Sequence, residues 1–479
     1  MPSTLNAQEY IAVMDEIAYN MGYDKIDWSS QIPDYLYQRI LDGSWTGTNW
    51  MEEIRNKNAL TQNHAINLVG GQEYSKYSVG FSYTSQEGIL GKPVEPEFER
   101  YTGRINTEYN VIKSGDRDIL KIGQNLTYSY TEKTGIGVGN IYSNDIRYML
   151  AGNPLLSLYN AEGDYYDQDD KYAEGWLLDG ATSNPVAAMV YNRGQNISKR
   201  HTLQANAYLE IQPIQDLKFR SVFGYKMSSS TYRSYNAAYN LSTTSTSAYD
   251  KVNQNAQVGY NVTWENTLGY NFKWDAQHAF DVLIGQSIEK WGMGDNISAS
   301  GGRSIFPNMF DYAWLDNTNP NELSEISIGG SPWNSGALAS FFGRVNYNYK
   351  ETYMASVILR ADGSANFARG KRWGYFPSVS AGWVMTNESF MEPVTNWMDF
   401  LKIRASWGQN GNASIANFQY IGTIAFDDNN RYYFGDSNSA SVGAYRDILP
   451  NRDLTWETSE QIDIGLDTRF LSGRLGVVF

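Results

Sequence analysis

From residue 62 onward, apolar and polar residues alternate with a period of two, segment after segment. Over 120–131 one parity carries Leu120, Ile122, Leu126, Tyr128 and Tyr130, and the other Lys121, Gly123, Asn125, Thr127, Ser129 and Thr131. Tyr260, Val262, Trp264, Leu268, Tyr270 and Phe272 oppose Asn261, Thr263, Glu265, Thr267 and Asn271. Phe341, Val345, Tyr347 and Tyr349 oppose Arg344, Asn346, Asn348 and Lys350. Leu401, Ile403, Ala405 and Trp407 oppose Lys402, Arg404, Ser406 and Gly408, and Ile462, Ile464 and Leu466 oppose Gln461, Asp463, Gly465 and Asp467. A pleated strand sends successive side chains to opposite faces, so each segment predicts a strand with one apolar and one wet side.

About 14 strands follow from this pattern, near 64–71, 74–84, 100–112, 119–131, 199–212, 217–229, 258–272, 277–290, 337–349, 351–363, 373–386, 400–409, 456–470 and 474–479. Most have about the 9–11 residues, or slightly more, that cross a bilayer at a tilt. Pro377 cannot donate to a ladder, which places it at a strand start, above the fully paired zone. The segment 1–60 follows another rule and reads as helical. Asn6 with Glu9 forms a capping box and Gly22 a stop; Asp34 is expected to cap a second helix, and Asn49 with Glu52 a third. Weak amphipathicity predicts that these are surface helices.

The connections alternate as well. Short ones near 72–73, 113–118, 213–216, 273–277, 350, 387–397 and 471–473 are interleaved with long ones at 85–99, 132–198, 230–257, 291–336, 364–372 and 410–455. With antiparallel neighbours, every long connection then leaves the same rim. A soluble all-β carbohydrate-binding or glycoside-cleaving protein would also alternate, but has no reason to gather its long loops at one end. A transmembrane antiparallel β-barrel does. In that fold Ile122, Leu126, Val262, Trp264, Val345, Tyr347, Ile403, Ile462 and Ile464 face outward, and Trp and Tyr near strand ends form interfacial girdles.

Composition narrows the function. Aromatic residues make up 14% of the 479, which excludes a disordered chain. The chain has no cysteine, so disulfides, thiol catalysis and Cys-ligated metal are excluded, and its three histidines, His64, His201 and His278, are widely separated. A net charge of −14 argues against nucleic acid. No apolar run suits a transmembrane helix, and the N-terminus shows no signal peptide. GIGVG at 135–139 lacks a βαβ context and reads as a flexible loop base. No HExxH, GxSxG or triad pattern occurs, no catalytic, cofactor or metal residue is assigned, and the chain is read as not an enzyme. The acidic clusters Asp164, Asp167, Asp169, Asp170 and Asp427, Asp428, Asp436 read as solvated loop charge, with calcium as the minor reading. Asn125 and Asn261, although in glycosylation-type sequons, read as polar residues lining the barrel.

Several stretches resemble one family. TNWMEEI (48–54), QNHAINLVGG (62–71), SVGFSYTSQEGIL (78–90), RYTGRIN (100–106), LRADGSANFARGKRWGYFPSVSAGWVMTNESFM (359–391), LKIRASWGQNGN (401–412) and NRDLTWETSEQIDIGLD (451–467) resemble the barrel of SusC/RagA-type TonB-dependent outer-membrane transporters. The resemblance implies a Gram-negative outer-membrane location and uptake of large nutrients, oligosaccharides above all or peptides. It also implies a SusD-type surface lipoprotein as partner, TonB acting through a region N-terminal to this one, and lipid around the barrel. The segment 1–60 is then expected on the extracellular side, near the long-loop rim, with 61–479 as a partial barrel. Family barrels have roughly 22 strands around a plug. About 14 strands therefore predict an open, curled sheet belonging to a longer protein. A closed barrel of this size would instead indicate a plug-free, porin-like channel. Substrate contacts would lie among loop aromatics such as Tyr159, Tyr165, Tyr166, Tyr172, Trp176, Trp314, Trp333, Tyr432 and Tyr433, of which none is assigned individually.

Overall fold

The computed structural model describes residues 4–479, except 142–143, 179, 320, 322–324, 333–334 and 434–439; side chains of 427–442 also lie outside the description. Trp333 and Asp436 are among the residues not described, and the same holds for the side chains of Asp427, Asp428, Tyr432 and Tyr433.

One antiparallel sheet organises the chain. Its main path runs in sequence order through β1 (Thr61–Gln72), β2 (Ser75–Glu87), β3 (Glu97–Ser114), β4 (Arg117–Lys133), β5 (Gln195–Ile214), β6 (Leu217–Asn236) and β7 (Lys251–Lys273). It continues through β8 (His278–Gly302), β9 (Gly336–Tyr349), β10 (Tyr353–Ser364), β11 (Trp373–Val384), β12 (Met398–Asn412), β13 (Glu457–Phe470) and β14 (Leu475–Val478). Every predicted strand is present. β1 and β14 are the two ends of the path and do not pair with each other, so the sheet is open and the closed porin-like reading falls.

Register carries the faces from strand to strand. Ile66 pairs with Phe81, Val79 with Ile105, Ile105 with Leu126, and Leu126 with Ala205. Ala205 pairs with Tyr225, Tyr225 with Val262, Tyr270 with Val282, and Val282 with Val345. Val345 pairs with Val357, Val357 with Val379, Val379 with Trp407, and Trp407 with Ile462. All nine residues expected to face outward share this side. They meet no second layer: Ile464 is 76% exposed and Ile462 69%. A soluble sandwich would have buried them.

Strands lengthen at the long-loop end beyond their predicted limits. β7 begins at Lys251 and β8 runs to Gly302, so much of what the alternation left as loop at 230–257 and 291–336 is strand. Ser327–Pro332 adds a further strand against β8, and Ile424–Tyr433 pairs with Ala440–Arg446 in a separate hairpin. The ladder between β7 and β8 slips by one residue between Lys290 and Met293. This bulge leaves even positions of β8 on the apolar side below it and odd positions there above it. Pro377 lies mid-strand on its β10 side, opposite Leu359, but β11 pairs with β12 only from Ser378 onward. The missing N–H thus stands beside the start of the second ladder rather than at the start of the strand.

The N-terminal region contains α1 (Ala7–Asn20), α2 (Trp28–Gln31), α3 (Asp34–Leu41) and α4 (Trp50–Glu53). Asn6 and Glu9 close the expected capping box, Gly22 takes φ +81° after α1, and Asn49 accepts from the Glu52 N–H. Asp34 is not a cap. Pro33 holds that position, and Asp34 begins the helix, where its charge suits the dipole.

These are not surface helices in the expected sense. Trp28, Ile32, Leu36, Ile40, Trp50, Met51 and Ile54 are buried together with Met149, Leu155, Leu156, Tyr166, Trp176, Val186 and Met189 from the connection between β4 and β5. That connection carries α5 (Asp145–Leu150), α6 (Gln168–Ala173) and α7 (Pro185–Arg193). The largest apolar core described therefore sits over the long-loop rim, not under the sheet.

Candidate functional site

The sheet presents two surfaces with different chemistry. On the apolar side, aromatic rings gather near both ends of the strands. At the long-loop end His64, Tyr83, Tyr101, Tyr130 and His201 run across β1–β5, with neighbouring ring centroids 4.9–6.4 Å apart. At the short-turn end Phe272, Phe280 and Tyr347 stack at 4.9 Å steps, and His278, Tyr349, Tyr353 and Trp383 continue the band. Amphipathic rings suit the boundary between hydrocarbon and water, and all three histidines lie in these bands. Tyr128 Oη lies 2.7 Å from His201 Nδ1, and Tyr347 Oη 2.8 Å from His278 Nδ1.

The other side is polar and contains the hollows of the sheet. The main one, about 560 Å³, lies over Asp281, Asn346, Ser356, Ser380, Arg404 and Asp463. Carboxylates on this face are held by basic or hydroxyl groups, from nearby strands or, for Asp362, from the same strand. Glu108 accepts from Tyr208 Oη at 2.6 Å and lies 3.4 Å from Lys121 Nζ. Glu210 takes Lys218 and Arg220, at 3.2 and 3.1 Å, and the Arg220 guanidinium lies 4.1 Å over the Tyr208 ring. Asp281 accepts from Arg344 at 2.8 Å and from Asn346 at 2.9 Å. Arg360 meets Asp362 at 2.8 Å and Arg404 meets Asp467 at 3.3 Å. Pairs this wet contribute only about 0–1 kcal/mol each; their effect is to pattern charge along a water-facing wall. The parity of each strand gave these residues their side, but which acid meets which base depends on register, which alternation alone does not supply.

The rim supplies a second surface. A hollow of about 600 Å³ lies between the β4–β5 connection and the segment after β6, bordered by Asp145, Asn153, Ser183, Asn192, Arg193 and Tyr239. Burial raises the Asp145 carboxyl above its ordinary range, while the Gly137 N–H donates to it. Burial and the bond to Glu174 likewise push the Tyr166 hydroxyl upward.

The loop candidates sort clearly. Asp167 caps α6 by accepting from the Asp169 and Asp170 N–H groups, and Asp170 accepts from the Asp167 N–H and from Asn160. This acidic cluster is a helix start. The 135–139 segment is not a flexible base: Asn196 bonds both the N–H and the carbonyl of Gly135, and Asp145 holds Gly137. Tyr159 stacks on Tyr165, which meets Tyr191 edge-on, and Trp176 donates to Tyr166. Those aromatics pack the loops against one another. Tyr172 and Trp314 keep exposed surface, although the Trp314 ring also covers Arg233. Asn261 lies on the polar side and accepts from the Gly292 N–H.

An open, register-locked antiparallel sheet with an apolar, aromatic-banded outside and a charged inside defines an outer-membrane β-barrel protein. No helix among the described residues is long and apolar enough to cross a membrane. Residues 147–479 match the family described as TonB dependent receptor-like, beta-barrel, and the chain belongs to that family. It is 28% identical over 449 residues to TonB-dependent receptor P3 of Formosa agariphila, covering 90% of this chain and 40% of that protein. It is 24% identical to TonB-dependent receptor SusC of Bacteroides thetaiotaomicron, covering 94% of this chain and 42% of the relative. The solved RagAB peptide transporter has the same fold, with a TM-score of 0.75 at 21% identity, covering 99% of this chain and 51% of that one. The chain thus spans about two fifths of the length of these curated relatives.

Proposed function

We propose that the chain is the barrel portion of a TonB-dependent importer that takes large nutrients, oligosaccharides or peptides, across the outer membrane. The observation that carries this is the continuous antiparallel pairing of successive strands. It puts an apolar surface on one side of fourteen consecutive strands, a charged, hollowed wall on the other, and the long connections on one rim. That rim, with the helices of 4–60, is the extracellular end in this reading, and a SusD-type lipoprotein seats there as partner. Similarity to SusC of Bacteroides thetaiotaomicron and to the solved RagAB peptide importer supports the reading.

Transport is then passive on the part of the barrel. Its polar wall offers exchangeable hydrogen bonds to a hydrated substrate, while the energy arrives through TonB acting on parts outside this chain. Uptake of labelled oligosaccharides and peptides by cells producing the full-length protein tests this. Uptake that needs the receptor, TonB and the neighbouring lipoprotein supports the proposal. Uptake indifferent to TonB contradicts it.

A further inference from the structure

The chain as a whole is acidic, at −14, yet part of its polar wall carries the opposite charge. Two hydrogen-bonded rows show it. Thr84, Arg100, Thr131, Arg200, Ser230 and Gln257 lie side by side across β2–β7. Four residues further along β3, Gly80, Arg104, Thr127, Gln204, Lys226 and Asn261 do the same. The row between them contributes only Ser82, Thr102, Ser129, Thr202, Ser228 and Gly259. No Asp or Glu stands in these three rows from β2 to β7.

Five other cations on this face are paired, and these four are not. Lys121, Arg220, Arg344, Arg360 and Arg404 each have a carboxylate within 4 Å. Arg100, Arg104, Arg200 and Lys226 form no ion pair among the described residues, and all four are exposed. Arg104 Nη2 donates to Asn67 Oδ1 at 3.1 Å, a neutral partner that orients the guanidinium and leaves its charge uncompensated. Arg200 borders two hollows, of about 320 and 370 Å³, and Lys226 borders the second with Thr202, Ser228, Gln257 and Asn261. Arg100 and Arg200 lie within six residues of the long-loop ends of β3 and β5, so the strip begins near the mouth.

We propose that this strip selects acidic oligosaccharides, binding their sulfate esters or uronate carboxylates on Arg100, Arg104, Arg200 and Lys226. It rests on the importer reading and deepens it by naming the charge of the substrate. A guanidinium offers paired N–H donors matched to a planar carboxylate or a sulfate, and such charge-assisted bonds are stronger than neutral ones. Between the cations the wall offers short hydroxyl and amide groups, which both donate and accept as sugar hydroxyls do. Like charges left unpaired along a wall repel one another, an arrangement relieved when an anion arrives.

The test uses the full-length receptor, purified in detergent and also present in cells. The probes are a dextran hexasaccharide, its sulfated form, hexagalacturonate and hexaglutamate. The proposal expects at least one of the two acidic sugars to bind at least about tenfold tighter than neutral dextran at low salt. It further expects this preference to shrink as salt rises, because exposed charges are screened. R100Q/R104Q/R200Q/K226Q should lose that preference, and R100K/R104K/R200K should keep most of it. Sulfated dextran and hexagalacturonate separate the two anionic groups; binding of either one supports the proposal. Equal binding of neutral and acidic sugars, unchanged binding by the glutamine variant, or a preference for hexaglutamate would overturn it. Uptake in cells is read separately. Selective binding to purified receptor without TonB-dependent uptake would sink the importer reading while leaving the anion strip standing.

Discussion

At the scale of single residues, much of the chain's polar chemistry serves local geometry. Asp275, in the turn between β7 and β8, accepts from the Gln277 and His278 N–H groups at 2.7 and 2.8 Å. Those two bonds, the Gln277 one first, hold its carboxyl below the ordinary range. For a lowered carboxylate, the contribution to the fold is complete above the ordinary value and is lost as pH falls through the depressed one. Protection of the Gln277 and His278 amides against hydrogen exchange should therefore be flat near neutrality and fall in strong acid. In Asp275→Ala it should be low at every pH, and protection unchanged by the substitution would count against this role. Asp34 shows the limit of reading such residues from sequence. Its type and place suggested a cap, but Pro33, with its fixed φ, already occupies the turn before the helix.

At the scale of elements, alternation marked the strands wherever one side meets an apolar medium and failed where both sides are wet. Asn253–Gln257 reads NQNAQ, with no period to find, yet it lies within β7. The bulge in β8 escaped notice for a related reason. Trp291 and Gly292 are unremarkable in sequence, and only the partner register shows the extra residue. Deleting Gly292 should carry every residue beyond it to the opposite side, or break the pairing of 295–300 with Ser327–Pro332. Either result would appear as faster amide exchange confined to that arm, and an unaltered exchange pattern would contradict the bulge assignment.

The helical region was legible in its caps but not in its packing. Weak amphipathicity in the three expected helices gave no hint that α5–α7 would cover them. Trp50 is 2% exposed and donates to the Asn153 carbonyl at 3.0 Å, tying α4 to that connection. Trp50→Ala should cost the rim core about 3–5 kcal/mol. Limited proteolysis should then cut within 4–60 and 134–194 while the strands stay intact; cleavage rates equal to wild type would show that the two segments stand independently.

At the scale of the whole molecule, the account depends on which side of the sheet meets lipid. The nine outward residues were legible because the pleat has a strict period, so one register fixes every side chain together. The charge pairs and the uncompensated strip were not legible, because they depend on the register between strands, which alternation alone does not supply. Leu126→Lys in the full-length protein places a charge on the apolar side and should cost up to about 2–4 kcal/mol if it lies near the bilayer midplane. Asn125→Lys, one step away, should be tolerated. The assembled fraction of each variant in outer membranes measures the contrast, and equal assembly would count against the assignment of sides.

This chain has no cysteine, and with any cysteine elsewhere in the full-length receptor replaced, a more direct measurement is open. Single cysteines placed in turn at positions 121–126, 261–265, 402–405 and 461–464 of the full-length receptor, in native outer membranes, can be challenged with a water-soluble maleimide. Labelling should alternate with a period of two: low at Ile122, Leu126, Val262, Trp264, Ile403, Ile462 and Ile464, and high at Asn125, Asn261, Thr263, Arg404 and Asp463. Labelling that is uniform along these strands, or alternates with the opposite phase, would contradict a lipid-facing apolar side and with it the barrel.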